Sequence, residues 1–268
     1  MGEIAKKRKH RIKVFGERNT GTRAVMEMVR ALEGATINTP VTKEPDLDYL
    51  EEQIKKTIKG FHRELYVDAI LDVRRKRQAG VSAWKHAAPV VDDSYAAHGC
   101  SVLFLVRDPY SWIKSLTRRP YHIRAPRLDS VEDFIQRPWL CMERDNIDRV
   151  LISPMNLWNE KLRAYLAFAE EAPVPSTVLH FENFVIDPVA ALGQALARFG
   201  VAVDGLREID QSTKNGGRSA AERREYYKNA IWKRELTPRA ARLVNQHVDW
   251  GVAANFGYNK QAPEDFGR

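Results

Sequence analysis

Arg11-Ile12-Lys13-Val14-Phe15-Gly16-Glu17-Arg18-Asn19-Thr20-Gly21-Thr22-Arg23 is the stretch whose reading decides the fold. Arg11 to Gly16 is a short β-like run, and Glu17 to Thr22 is a polar loop closed by a second glycine. Ala24, Val25, Met28, Val29 and Leu32 then recur at helical spacing, with Gly34 as a stop. The pattern is strand, polar loop, helix.

The clearest strand in the chain is Ser101 to Val106, apolar throughout, as expected of a parallel strand covered on both faces. It runs into Arg107-Asp108-Pro109, where Asp108 caps a helix and Pro109 enters its first turn. Gly80 to His86 and Ser176 to Phe181 read as further strands. Helices are expected over Leu47–Ile58, Leu157–Glu171, Pro188–Phe199 and Pro238–Val248, and Leu65 to Val73 is another apolar run. Strands alternating with helices predict a three-layer α/β/α fold around a central parallel sheet. No linker interrupts the chain, so residues 1–268 are expected to form one domain, with a basic tail at 1–10 and an excursion rich in Arg, Pro and His at 119–153.

Composition narrows the function classes. The chain carries 43 lysines and arginines against 35 aspartates and glutamates, so an anionic partner is favoured. Part of the excess lies in the run from Lys6 to Arg11, which reads as a solvated tail, and no nucleic-acid partner is expected. Cys100 and Cys141 form no CxxC pair, which excludes a redox motif and a cysteine-rich zinc site. No stretch approaches the roughly 20 apolar residues that span a bilayer, and the expected location is cytoplasmic. The sequence carries no signal for oligomeric state.

The frame Gly16 to Arg23 has the two-glycine spacing of a phosphate loop. A nucleoside-triphosphate loop would read GxxxxGK[ST]. Here Thr22 stands at the lysine position and Arg23 at the position of the magnesium-binding hydroxyl. What survives is a cradle of backbone N–H groups at a helix N-terminus, suited to any terminal oxyanion. Arg18 and Arg23 can add forked hydrogen bonds. Farther along, Arg107 and Ser115 are separated by two turns of the helix that follows the strongest strand. Both can face one phosphate at the C-terminal edge of the sheet, where open α/β sheets bind ligands.

A strand, a loop ending in Gly21-Thr22 and a helix, followed by Arg107 and Ser115 after a later strand, resembles the sulfotransferases that use 3′-phosphoadenosine-5′-phosphosulfate (PAPS). The resemblance implies that Arg18, Asn19, Thr20, Gly21, Thr22 and Arg23 bind the 5′-phosphosulfate, and that Arg107 and Ser115 bind the 3′-phosphate. Many members carry a lysine where this chain has Asn19, so Arg18 is expected to supply that charge. Lys85-His86-Ala87-Ala88-Pro89 is similar to the family's Lys-x-His-x-Pro segment, which implies His86 as general base and Lys85 as a cation near the bridging oxygen. The late segment Lys214 to Arg218 loosely resembles one that closes over the 3′-phosphate and adenine. Trp84, Arg119 and His122 are candidates for the acceptor side together with the 119–153 excursion, and His122 is the alternative base. Glu182 is expected to hold a loop.

The resemblance therefore implies sulfuryl transfer from PAPS to a hydroxyl or amine of a small-molecule or glycan acceptor, releasing 3′,5′-bisphosphoadenosine (PAP). No metal is expected, because the kinase lysine and hydroxyl are missing and neither HExxH nor clustered His/Cys ligands occur. Two other readings stay open at this point: a small-molecule kinase with a degenerate loop, and a polyanion-binding protein without catalysis.

Overall fold

The computed structural model describes residues 9–38, 45–75, 80–121, 128, 130–147, 150–209 and 218–268. In chain order its elements are β1 (His10–Gly16), α1 (Thr22–Arg30), β2 (Ala35–Ile37), α2 (Pro45–Thr57), α3 (Gly60–Arg75), α4 (Ser94–Ala97), β3 (Cys100–Val106), α5 (Pro109–Arg118), α6 (Val131–Gln136), β4 (Trp139–Leu140), β5 (Val150–Leu151), α7 (Pro154–Glu171), β6 (Ser176–His180), α8 (Phe181–Ile186), α9 (Pro188–Ala197), α10 (Ala220–Lys228), α11 (Pro238–His247) and α12 (Trp250–Ala254). The central sheet runs β2-β1-β3-β6 with every pairing parallel. Within the 119–153 excursion β4 and β5 form a small antiparallel pair.

Alternation along the strands divides the apolar side chains between two layers. Phe15, Val102, Phe104 and Val106 face one core with residues of α5, α7 and α11. Ile12, Val14, Leu103 and Leu105 face the other with residues of α1 and α9. All seven residues of β3 are buried, as a strand covered on both faces requires. The result is the three-layer α/β/α arrangement with a parallel sheet that the sequence predicts. Several helices open alike. Asp108, Ser153, Asp187 and Thr237 each accept a backbone N–H with their side chain, and each is followed by proline in the first turn.

One predicted strand is corrected. Gly80 to His86 is not a strand: Gly80–Ser82 is a single tight helical turn, and the chain then turns again toward His86. The physical reason is a fully buried cation. Lys13 Nζ donates to Val81 O at 2.8 Å and also to Ala83 O, so these carbonyls serve a side chain instead of a strand ladder. The short strand β2 gave no sequence signal, and the apolar run from Leu65 to Val73 lies within α3.

Sheet order positions the site. From β1 the chain steps outward to β2, while β3 lies on the other side of β1. The crevice between the carboxyl ends of β1 and β3 is thus a topological switch point. Among the described residues no helix is long and apolar enough to cross a membrane.

Candidate functional site

The loop after β1 is held by sorting its polar groups. Thr20 N and Oγ1 both donate to Glu17 O, at 3.2 and 2.6 Å. Trp112 Nε1 donates to Arg18 O at 3.1 Å, and an Arg107 N–H donates to Asn19 O at 2.6 Å. Three successive carbonyls are thereby turned into the protein. Asn19 and Gly21 adopt left-handed conformations, with φ of 68° and 86°, which asparagine tolerates and glycine adopts freely. Among the described residues no side chain caps α1, which leaves the amides at its start available as an anion cradle. Gly16 admits no side chain, since a Cβ there would lie 2.7 Å from Thr20 Oγ1 and 2.8 Å from Leu105 Cβ.

Arg107 leaves the end of β3 buried and fully oriented. Its Nε donates to Ser111 Oγ at 2.9 Å, and one terminal nitrogen donates to Asn19 O at 2.6 Å. The other terminal nitrogen is shared among Ser115 Oγ and Tyr227 Oη, both at 2.8 Å, and Ser111 O at 2.9 Å. The guanidinium lies 4.2 Å over the Phe181 ring. Arg107, Ser115 and Tyr227 form a donor cluster whose geometry suits a phosphate. The neighbouring carboxyl, Asp108, is pushed up to about 7, chiefly by burial and then by the like charge of Glu182.

The third part is the turn at 84–86. Gly16 N donates to Lys85 O at 2.9 Å, and His86 Nδ1 lies 2.5 Å from Gly16 O. A carbonyl oxygen only accepts, so Nδ1 carries the proton and Nε2 keeps its lone pair. Burial first, then the charges of Lys85 and Arg18, hold the imidazole well below its usual range, while the bond to Gly16 works in the opposite direction. His86 is therefore neutral at physiological pH. Beneath it sits a fully buried lysine of α7. Lys161 Nζ donates to His86 O at 2.6 Å and Asp145 O at 3.0 Å, and lies 3.8 Å from both Glu17 and Asp145 carboxylates.

These parts line one cavity of about 430 Å³. Asn19, Gly21, Thr22, Arg23, Lys85, His86, Arg107, Ser115 and Arg119 all border it. The turn at 84–86 lets Lys85 and His86 both reach the cavity, which neighbouring residues of a continuous strand would not do. Arg23 also pairs with Glu27 at 2.8 Å.

Other predicted residues are placed elsewhere. Arg18 does not border the cavity. Its guanidinium is stacked between Trp84 and Tyr121, 4.9 and 4.3 Å from their rings, and lies 3.9 Å from Asp68. The aromatic faces and the carboxylate hold it there, so it does not occupy the place of a loop lysine. Trp84 packs edge-on against His86 at 4.9 Å, outside the cavity wall, and Thr20 points inward. Arg218 lies 3.8 Å over Tyr226 and 3.4 Å from Glu235. Lys214 and His122 lie outside the described residues. Glu182 accepts from Asp108 N at 2.9 Å and Tyr258 Oη at 3.1 Å, the loop-holding role expected of it.

Sequence reasoning missed Tyr227, Phe181, Glu208 and Arg223, which also line the cavity. Tyr227 is 120 residues from Arg107, and no local pattern marks it. Phe181 had one usable signal: it directly follows β6, at the same sheet edge as the loop.

No family model and no curated protein sequence matches the chain. Among solved structures it is similar to a sulfotransferase domain from the curacin biosynthetic pathway, with TM-score 0.44 and 13% identity over 95% of this chain and 100% of that one. It is similar to a sulfotransferase domain from the Synechococcus PCC 7002 olefin synthase, with TM-score 0.44 and 14% identity over 96% of this chain and 98% of that one. A sulfotransferase from Alicyclobacillus acidocaldarius aligns with TM-score 0.42 and 15% identity over 91% of this chain and 98% of that one.

Proposed function

We propose that the chain is a sulfotransferase that moves the sulfuryl group of PAPS onto a hydroxyl, or an amine, of a small-molecule or glycan acceptor. One observation carries this reading: two sets of hydrogen-bond donors border a single cavity. The amides at the start of α1 form one, and Arg107 with Ser115 and Tyr227 forms the other. A nucleotide with a phosphosulfate at its 5′ end and a separate 3′-phosphate needs both.

The reaction is an in-line displacement at sulfur. The acceptor oxygen forms the new bond to sulfur, and the bond from sulfur to the bridging phosphate oxygen breaks. That oxygen takes the electron pair and leaves as part of PAP. The acceptor proton goes to His86 Nε2, the lone pair left by the Nδ1 contact with Gly16 O. Lys85 and the N-terminus of α1 offset the charge gathering on the bridging oxygen, as fixed dipoles and cations do in phosphoryl transfer. Arg18 has no part in this step, because its guanidinium is committed to Trp84, Tyr121 and Asp68.

Calorimetric titration of the chain with PAP, AMP and ATP plus magnesium tests the donor. PAP is expected to bind far more tightly than AMP. Ser115→Ala should weaken PAP by about tenfold, the worth of one hydrogen bond to a charged group, and leave AMP unchanged. Equal loss for both ligands would remove the Arg107–Ser115 cluster from 3′-phosphate recognition. Preference for ATP with magnesium would make the chain a kinase. Transfer of labelled sulfate from PAPS across a panel of alcohols, amines and glycans then defines the acceptor.

A further inference from the structure

We propose that Glu208 reads the nucleotide base by accepting an N–H from the 6-amino group of adenine. The proposal rests on the donor reading above and adds a specificity determinant to it. Among the described residues that line the cavity, Glu208 is the only carboxylate, against Arg23, Lys85, Arg107, Arg119 and Arg223. A carboxylate in a cavity for polyanions repels phosphate and sulfate. It is useful only to a part of the ligand that donates hydrogen bonds.

Position supports this. Glu208 is followed by Ile209, which packs on the same apolar cluster as Met28 and Phe184. With Val185 and Pro188 these residues make an apolar side of the cavity, on which Phe184 lies beside Gly21 at the start of α1. That side is where the faces of a purine lose least by leaving water. The segment before Glu208 is anchored: Leu206 N donates to Val203 O at 2.9 Å, and Leu206 packs against Gly193 of α9.

The chemistry selects the base. Glu208 Oε2 is held by Arg224 of α10, which orients the carboxylate. Its Oε1 has no partner among the described residues, and the side chain is 27% exposed. An ionised carboxylate only accepts hydrogen bonds. Adenine offers one donor group on its base edges, the 6-amino group, its other edge atoms being acceptors. Within the base the pairing is thus unique to that group, and the ribose 2′-hydroxyl, the other donor of the ligand, is common to both ligands of the test below.

The test is a cycle between ligand and protein, by calorimetry on the full chain. The ligands are PAP and the 3′,5′-bisphosphate of purine riboside, which lacks only the 6-amino group. The proteins are wild type and Glu208→Ala. Wild type is expected to prefer PAP by about tenfold or more, the worth of a hydrogen bond to a charged acceptor. Glu208→Ala should bind both ligands alike, with the purine riboside analogue at or above its wild-type affinity because a repelling charge is lost, which also shows that the cavity is intact. Equal discrimination in both proteins, or none in wild type, overturns the proposal and leaves the donor reading standing. Failure of wild type to bind either bisphosphate overturns the donor reading and this proposal with it.

Discussion

A histidine whose Nδ1 faces a carbonyl oxygen at 2.5 Å has one tautomer open to it, and that fixes what the other nitrogen can do. At His86 the consequence is a neutral ring with a lone pair on Nε2 across a wide pH range, since burial and nearby cations lower its pKa. Two outcomes follow. His86→Asn keeps an N–H for Gly16 O but has no base, so kcat should fall by roughly 10²- to 10⁴-fold while PAP affinity, read by calorimetry, stays within about twofold. In the wild-type pH–rate profile the acid limb should lie below the usual imidazole value of about 6.5. A limb at or above that value, or a His86→Asn enzyme with normal turnover, assigns the proton to another group. Arg18 teaches the complementary lesson at the same scale. Charge and sequence position nominated it for the sulfuryl group, but two aromatic faces and Asp68 hold it elsewhere.

Among the elements, α7 carries the least expected contribution. Lys161 is fully buried and joins the loop after β1, the His86 turn and Asp145 through one ammonium group. A buried lysine stripped of its partners is costly, and so are partners stripped of their lysine. Lys161→Met should therefore lower stability by about 3 kcal/mol, read as a reduced denaturant midpoint at constant m-value. Adding Glu17→Gln should restore part of it, because Glu17 is one of the two buried carboxylates that lose the ammonium, and its Oε2 has no hydrogen-bond partner among the described residues. A double variant no more stable than the single one would mean that the carbonyl bonds, and not the Glu17 pair, carry the effect. Nothing local in the sequence marks Lys161: on α7 it reads as one polar position of an amphipathic helix. β1, β3, β6 and the capped start of α5 were legible, because apolar runs and the Asp108-Pro109 pair are local signals. The turn at 80–86 was not, because a lysine from a neighbouring strand decides its conformation. In the site, the loop and Arg107 with Ser115 were legible from spacing. Tyr227 and Glu208 were not, since only tertiary packing brings them to the cavity.

Across the whole molecule, stability is tied to pH at the point where the sheet, α5, α8 and the C-terminal segment converge. Asp108 caps α5 through Ser111 N at 2.8 Å. It is faced by Glu182 of α8, by Arg107, by Lys233 and by Gln261. Tyr258 reaches the same group through Glu182. Burial and the Glu182 charge outweigh the helix amide, Arg107 and Lys233, and raise the carboxyl to about 7. The sign of the linkage follows. In the unfolded chain this group ionises near about 3.9, so between there and about 7 the folded protein binds the extra proton. Its contribution to stability is whole below the unfolded value and is lost as pH rises through the folded one, a change on the order of 4 kcal/mol. Asn at the same position still accepts the helix amide but does not titrate. Asp108→Asn should therefore gain on wild type as pH rises, with a small excess in melting temperature at pH 5, where part of the contribution is already lost, and a larger one at pH 8, measured by thermal melts at both values. Melting curves that shift in parallel between the two proteins would locate the titration in another group, and Glu182→Gln, which removes the facing like charge, would be the variant to compare next.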